Sequence, residues 1–329
     1  MQVDRYLNIS TGTMMVVSDL HGDGEVFERV VETFLALRDV GEADRLLLLG
    51  DLIHGYGAAT EDQSLAMVQR VMALQSKLGK DEIIMLLGNH EMPHIYGVSL
   101  AKGDLEFTPR FEHSLGSHRE EVIAWFKSLP FALRTTAGVL FTHAGPDEAS
   151  VNRAGRLRRF DHEELLRDAD QSLAQQPDIG QVYDTYAQIS GNSYAALARQ
   201  YLAVEGPDDP RYPHLMRALF ISERDARFSV LWDFLFTQNE RSLTPSAYEQ
   251  ICQRYLDALS VGMITPQRVA VSGHIQVNKG GYEVVNERHF RLASATHARP
   301  REEGRYLLLD CKTPIRSAQE LVPLVRRVF

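Results

Sequence analysis

The sequence predicts an α/β fold, and three observations support that class. Short apolar runs, typical of buried strands, alternate with helical patterns over the first 145 residues. Apolar side chains recur at helical spacing within residues 26–37 and 64–78, and residues 119–129 are typical of a third helix. Strand–helix–strand order implies helices packed on a sheet. The strands predicted in this part are residues 14–17, 46–49, 83–87, 132–135 and 139–142.

The strand signal then fades, and it returns only after residue 268. We therefore expect one domain over residues 1–329, with a mainly helical insertion at about 147–262. The predicted helices of the insertion are residues 162–174, 179–204, 212–224 and 245–259. The predicted later strands are residues 269–271, 283–285, 290–293 and 306–309.

Composition excludes several classes of protein. The chain has 329 residues, of which 44% are hydrophobic and 24% charged, so disorder is not expected. A net charge of -9 argues against a dedicated nucleic-acid binder. No secretory signal or membrane span is visible, so we expect a cytoplasmic protein without a membrane partner. Cys252 and Cys311 lie among apolar neighbours, which favours buried thiols over a disulfide framework.

Polar residues follow three of the predicted strands at their C-terminal ends. Asp19 and His21 follow the first, Asp51 the second and Asn89 the third. Open α/β sheets bind ligands at that edge. Carboxylate, imidazole and amide oxygen groups are ligands for hard and borderline metal ions. The complete set of motifs is Asp19-Leu20-His21, Gly50-Asp51, Gly88-Asn89-His90-Glu91, His143-Ala144-Gly145 and Gly273-His274.

Each motif alone is common in proteins that bind no metal, but five in this order predict a dinuclear metal site. Two divalent ions about 3.5–4 Å apart can clamp both oxygens of a phosphoryl displacement and lower the pKa of a shared water. Asp51 is expected to bridge the ions, because Gly50 leaves room for close approach. Asp19 and His21 point the same way in extended geometry, so both can bind the first ion.

The second ion is expected to bind Asn89, His143 and His274, in addition to Asp51. His90 is next to Asn89 and is expected to protonate the leaving oxygen as a general acid rather than bind metal. The ligand set accepts Mn²⁺, Fe, Zn²⁺ or mixtures, so the ligand types do not identify the native ions.

These motifs resemble those of the calcineurin-like metallophosphoesterases, and most closely those of the phosphoprotein phosphatase family of serine/threonine phosphatases. Glu91 completes the Gly-Asn-His-Glu form typical of that family. Further similar segments are Leu231-Trp232-Asp233, Asn239-Glu240-Arg241-Ser242 and Gly281-Tyr282-Glu283.

The resemblance implies a four-layer αββα sandwich, with the helical insertion before the last metal ligand. It also implies a phosphomonoesterase that acts through a metal-bridging hydroxide, with Mn²⁺ as the expected ion. Its substrate would be a phosphorylated protein or a small phosphate ester. By the same resemblance, Arg241 contacts the substrate phosphate, to which Asn89 and His90 also bind. A planar guanidinium suits this role because it can donate to two phosphate oxygens.

The chain departs from the family after Gly50-Asp51. The family has Asp and Arg where this chain has His54 and Gly55. Two interpretations of His54 follow: a catalytic residue facing the phosphate, or a loop residue without a chemical role. The missing Arg is either replaced from elsewhere or its loss weakens activity on phosphoproteins. The candidate replacements are Arg110, Arg153, Arg156 and Arg159.

A second departure concerns His297. It stands near the position of a family Tyr, and it is either close to the metals or an exposed loop residue. Two other functions therefore remain open beside the phosphatase. One is hydrolysis of diadenosine polyphosphates, and the other is a metal-binding scaffold with little turnover.

Overall fold

The computed structural model describes residues 4–329, which form two compact units. Within the described residues, the first unit comprises residues 4–89, Leu129–Phe160 and Val230–Phe329, and the second comprises His90–Ser128 and Asp161–Ser229. Residues 1–3 lie outside the described residues.

Strands form two large sheets and one hairpin. In chain order the strands are β1 (Tyr6–Ile9), β2 (Thr13–Val17), β3 (Arg45–Leu48), β4 (Ile83–Met85), β5 (Ala101–Lys102), β6 (Leu105–Glu106), β7 (Ala132–Thr135), β8 (Val139–Thr142), β9 (Val269–Ser272), β10 (Tyr282–Asn286), β11 (His289–Leu292), β12 (Arg305–Asp310) and β13 (Val325–Arg327).

Helices lie in both units. In chain order the helices are α1 (Gly24–Asp39), α2 (Ser64–Leu78), α3 (Met92–Tyr96), α4 (Phe107–Leu115), α5 (Arg119–Ser128), α6 (Glu148–Val151), α7 (Ala154–Arg158), α8 (His162–Ala174), α9 (Ile179–Ser190), α10 (Tyr194–Leu202), α11 (His214–Arg224), α12 (Ala226–Phe236), α13 (Asn239–Ser242) and α14 (Pro245–Ser260).

The two large sheets of the first unit pack face to face. One has the strand order β1-β7-β8-β9-β11-β10, and the other has β13-β12-β2-β3-β4. Alternate residues of the strands, such as Val16, Leu47, Phe141 and Val271, form one buried core between the sheets. Helices α1 and α2 cover the five-stranded sheet and α14 packs on the six-stranded one. This arrangement confirms the predicted αββα sandwich.

Parallel pairing explains why the polar motifs converge. Strands β2, β3 and β4 are parallel neighbours, and so are β8 and β9. The chain leaves β2 toward Asp19, β3 toward Asp51 and β4 toward Asn89. On the second sheet it leaves β8 toward His143 and β9 toward His274. All five side chains therefore follow C-terminal strand ends of the same unit.

The second unit is mainly helical and contains the β5–β6 hairpin. Its core includes Leu197, Leu202, Leu215 and Met216. A buried network also lies here: Nδ1 of His94 is 2.8 Å from Glu112, and Nε of Arg119 donates to the same carboxylate at 2.9 Å. The unit therefore has its own apolar core and its own buried, hydrogen-bonded carboxylate.

One predicted helix is wrong. The segment 179–204 is two helices, because Gly191 ends α9 in the left-handed conformation and the Ser193 side chain caps α10 by accepting from the backbone of Ala196. The sequence reading also missed α4, α12 and β1. Helix α12 has apolar residues on most of its sides, so it shows no amphipathic stripe.

Between β8 and β9 the described chain contains helices α6–α14 and no strand. The single domain with an insertion at about 147–262 stays a prediction. Across residues 4–329 no helix combines the length and the apolar character needed to cross a membrane.

Candidate metal centre

Unusual backbone geometry marks the predicted site. Among the described non-glycine residues, five have a positive φ, and four of those are predicted site residues: His21 at 43°, Asp51 at 53°, His54 at 73° and His274 at 66°. Left-handed backbone is costly for residues with a Cβ and persists where the surrounding structure enforces it. The fold therefore holds these four side chains in directions that ordinary strand or helix geometry would not provide.

Two glycines allow the strand ends to approach closely. Gly50 has a φ of 101°, and a Cβ there would lie 2.7 Å from Cα of Gly88 and 3.0 Å from Nδ1 of His143. A Cβ at Gly273 would overlap Oδ2 of Asp19. Both motif glycines are therefore required for packing, because any side chain would push the polar residues apart.

The tautomer of His143 follows from its backbone contact. Its Nδ1 lies 2.9 Å from the carbonyl oxygen of Leu49, which only accepts, so Nδ1 carries the hydrogen. Its Nε2 therefore presents a lone pair. That atom lies 2.6 Å from Oδ1 of Asn89 and 3.5 Å from Oδ2 of Asp51, which are acceptors too. Such opposed lone pairs repel one another unless a cation lies between them.

His21 has the same arrangement. Its Nδ1 lies 3.2 Å from the carbonyl oxygen of Ile53, so its Nε2 also presents a lone pair. Nε2 lies 3.8 Å from Oδ2 of Asp51. Asp51 is thus within 4 Å of both His21 and His143, as a bridging ligand would be. Backbone carbonyls that orient ligating imidazoles in this way are usual around metal sites.

The remaining predicted ligands lie in the same cluster. Nδ1 of His274 lies 2.8 Å from Oδ1 of Asn89. The backbone N–H of His274 donates to both oxygens of Asp19, at 3.1 and 2.9 Å, and so ties the two sheets together. The structure therefore brings all six predicted ligands together, namely Asp19, His21, Asp51, Asn89, His143 and His274.

Burial sets the charges of these groups. It raises the pKa of the Asp19 carboxyl, although the nearby His143 opposes that shift. It lowers the pKa of His143 and lowers that of His274 well below the usual range. Neutral imidazole is the form that binds metal. Buried carboxylates beside neutral imidazoles fit divalent cations, and the mixed oxygen and nitrogen donors do not select one metal.

The predicted residues His90 and His54 are both buried. His90 directly follows Asn89, is the first residue of the second unit and is buried, with its ring centroid 5.1 Å from that of Phe107. His54 is buried in the loop after β3, where its backbone N–H donates to Oγ of Ser64 at 2.8 Å. The roles of His90 and His54 stay predictions.

Arg241 lies on α13 with an exposed side chain. Its Nη2 donates to the carbonyl oxygen of Gln276 at 3.2 Å, two residues after His274. It also lines a cavity of about 360 Å³ together with Phe236, whose ring lies 6.2 Å from that of His274. The neighbouring Glu240 forms a buried ion pair with Arg291 of β11. Arg241 is thus attached to the segment that contains the predicted ligand His274.

His297 is a buried residue, so it is not the exposed loop histidine that was one of its two predicted positions. His297 is only 4% exposed. Its Nε2 lies 3.2 Å from Nε2 of His21, and its Nδ1 lies 3.4 Å from Oδ1 of Asp19. No spacing rule places a histidine 276 positions away beside His21, so this contact was not predictable from a local motif.

Two packed sheets with carboxylate, imidazole and amide groups at their strand ends are the arrangement that the motifs predict for a metallophosphoesterase. The family model of the calcineurin-like phosphoesterases matches residues 12–206, more than half of the chain. The chain belongs to this family, as its motifs predict. A search of curated proteins finds no match.

Several solved structures are similar. A cold-active protein tyrosine phosphatase has a TM-score of 0.50 and 14% identity, with 94% of this chain and 77% of that chain covered. A protein serine/threonine phosphatase from Saccharomyces cerevisiae has a TM-score of 0.49 and 14% identity, with 94% and 78% covered. A protein tyrosine phosphatase from a psychrophilic Shewanella has a TM-score of 0.49 and 14% identity, with 94% and 79% covered. At this identity the first of these supports the fold alone.

Proposed function

We propose that this protein is a metal-dependent phosphomonoesterase with a dinuclear centre, similar in chemistry to the phosphoprotein phosphatases. The observation that supports this most is the convergence of acceptor atoms around Asp51, whose carboxylate lies within 4 Å of His21 and His143. Divalent ions held there would supply Lewis-acid activation of water and neutralise phosphate charge. Mn²⁺ is the ion that we propose, on the resemblance to the family.

The chain's own residues then have distinct roles. Asp19 and His21 hold the first ion, and Asn89, His143 and His274 hold the second, with Asp51 shared. The exposed guanidinium of Arg241 binds phosphate oxygens and adds positive charge where negative charge develops. Asn89 also contacts the phosphate through its amide. To His90 we assign, on the resemblance to the family, the donation of a proton to the leaving oxygen.

His54 and Gly55 replace the Asp and Arg of the family. We infer from this change an altered substrate preference rather than a loss of activity. All six metal ligands are present, and these supply most of the electrostatic stabilisation in this chemistry. The missing Arg removes one contact to the phosphate group that all these substrates share, so contacts to the rest of the substrate contribute a larger part of its recognition.

The first experiment is hydrolysis of p-nitrophenyl phosphate by metal-stripped protein as Mn²⁺ is added. Activity should rise with Mn²⁺ and be abolished in Asp51→Asn, which keeps the size of the side chain but removes the bridging charge. If saturating Mn²⁺ gives no more activity than the Asp51→Asn control, the protein is a scaffold rather than an enzyme.

A substrate panel then separates the remaining alternatives. Phosphoserine, phosphothreonine and phosphotyrosine peptides, nucleotides and diadenosine tetraphosphate are compared by kcat/KM. Preferential cleavage of a monoester supports the proposal. Preferential cleavage of diadenosine tetraphosphate would overturn it in favour of a dinucleoside polyphosphate hydrolase.

A further inference from the structure

His297 belongs to a segment that the fold anchors beside the metal centre. It lies between β11 and β12, and its carbonyl oxygen accepts from the backbone N–H of Val277, three residues after His274, at 2.8 Å. Ala298 forms a parallel bridge with the same Val277. The Thr296 hydroxyl, on the other side, donates to the carbonyl oxygen of Leu20 at 3.4 Å. These contacts fix the imidazole between the predicted ligands of both sheets.

The geometry around the imidazole matches a coordination shell. Asp19, His21 and His297 can each offer one ligand atom such that all three atoms lie within 4.8 Å of one another. Metal–nitrogen bonds of about 2.0–2.1 Å place two ligand nitrogens of a tetrahedral site about 3.3 Å apart. The observed separation of the Nε2 atoms of His21 and His297 is 3.2 Å. The two rings therefore stand as neighbouring ligands of one ion would.

A second buried histidine shows what a structural role looks like in this fold. His289 has both ring nitrogens occupied by protein groups, with Nδ1 2.8 Å from the Tyr248 hydroxyl and Nε2 2.8 Å from the Ser272 hydroxyl. His297 instead faces a carboxylate and another imidazole. Because Nδ1 of His21 is committed to the Ile53 carbonyl, Nε2 of His21 presents a lone pair toward His297.

We propose that His297 is a protein ligand of the ion held by Asp19 and His21. This inference rests on the metal centre of the proposed function and adds a residue that the sequence motifs do not contain. A second imidazole gives the ion held by Asp19 and His21 one more nitrogen ligand in place of a water. Nitrogen ligands strengthen the binding of borderline ions such as Zn²⁺ and Co²⁺. The competing explanation is a hydrogen bond between the two imidazoles with no metal role.

The direct test replaces His297 by a cysteine, whose thiolate gives an absorption band when it binds Co²⁺. Full-length His297→Cys is stripped of metal and loaded with Co²⁺. If the side chain at 297 binds the ion, a thiolate-to-Co²⁺ charge-transfer band appears in the near ultraviolet. Wild-type protein, in which Cys252 and Cys311 are buried, supplies the background spectrum. Absence of the band in a folded variant that binds two ions overturns the proposal.

Metal affinity provides the second measurement. Calorimetric titration of stripped protein with Zn²⁺ should show one of two sites weakened by about tenfold or more in His297→Gln, on the scale by which supporting residues change metal affinity. His289→Gln is the matched control, since it removes a buried imidazole from the same unit, and it should leave both affinities unchanged. Equal affinities in His297→Gln and wild type overturn the proposal.

Neither measurement uses substrate. Loss of Zn²⁺ affinity in a protein that hydrolyses no phosphate ester would leave the ligand assignment standing while the proposed function fails. Normal phosphatase activity of the wild type, together with unchanged Zn²⁺ affinity in His297→Gln, would support the proposed function and overturn the assignment of His297 as a ligand.

Discussion

Nε2 of His143 lies 2.6 Å from Oδ1 of Asn89, although His143 has its hydrogen on the opposite nitrogen, bonded to Leu49. Two acceptors at that separation repel each other in an isolated chain. The contact becomes favourable when both atoms bind one cation, so the apoprotein is expected to be less stable than the loaded protein.

Metal should therefore stabilise the fold. A ligand that binds only the native state adds ~2.7 kcal/mol to the free energy of unfolding when its free concentration is 100 times its Kd. We expect the Tm of stripped wild-type protein to rise on titration with Mn²⁺, and that of Asp51→Asn to rise much less. Differential scanning fluorimetry measures both. An equal rise in the two proteins would place the bound ions elsewhere.

Gly273 tests the close approach of the two sheets. A Cβ at this position would overlap Oδ2 of Asp19, so Gly273→Ala should displace the carboxylate and lose both metal binding and activity. Gly155→Ala is the matched control: nothing lies within 4 Å of its added Cβ, and alanine is the better helix former by ~1 kcal/mol. Metal content by mass spectrometry is the readout. Full metal content in Gly273→Ala would contradict the geometry.

The buried ion pair between Glu240 and Arg291 is expected to hold α13, and therefore Arg241, against β11. The side chains of the pair are 4% and 3% exposed, and Arg291 also pairs with the half-exposed Glu283. Arg291→Met leaves a buried carboxylate without its partner, which should cost ~3–5 kcal/mol of unfolding free energy in urea titration. The double variant Glu240→Gln/Arg291→Met should lose less. Glu240→Gln is measured as the second single variant. If the loss of unfolding free energy in the double variant equals the sum of the losses in the two single variants, the two residues are not coupled.

Substitutions at His54 test whether the loop that departs from the family, His54-Gly55, takes part in catalysis. Because its φ is 73°, asparagine is the suitable replacement, since it tolerates left-handed backbone better than alanine. If His54 is catalytic, His54→Asn lowers kcat with metal content unchanged. If the loss of the family residues redirected specificity, His54→Asp/Gly55→Arg raises turnover of phosphopeptides. Unchanged kinetics in both variants would make His54 a structural loop residue.

His214 of the second unit should make stability depend on pH. Burial, with the charges of Arg217 and Arg119, lowers its pKa to about 3 from 6.5. Between these values the unfolded chain binds a proton that the native state does not, so the free energy of unfolding falls as the pH falls. In metal-free protein, His214→Gln should lose less stability from pH 7 to pH 5 than wild type, whereas the exposed His113→Gln should match wild type. Urea midpoints at the two pH values decide this.

Much of the fold was predictable because its signals are local. The strands before Asp19, Asp51 and Asn89 are short apolar runs, and each motif follows its strand within a few residues. The break at Gly191 was missed because apolar periodicity continues across it, while the φ of 68° that ends α9 is a backbone property. Helix α12 was missed because it has no polar face to give a period.

The sequence by itself determined the family, the sandwich and the six side chains that we propose as metal ligands, since strand order and strand-end motifs lie in consecutive residues. Only the tertiary structure decided which nitrogen of His21 and His143 faces the centre, because that depends on the carbonyls of Ile53 and Leu49 in other segments. The fold likewise decided that His297 meets His21 across 276 positions. Contacts between distant segments arise from packing, and no local pattern encodes them.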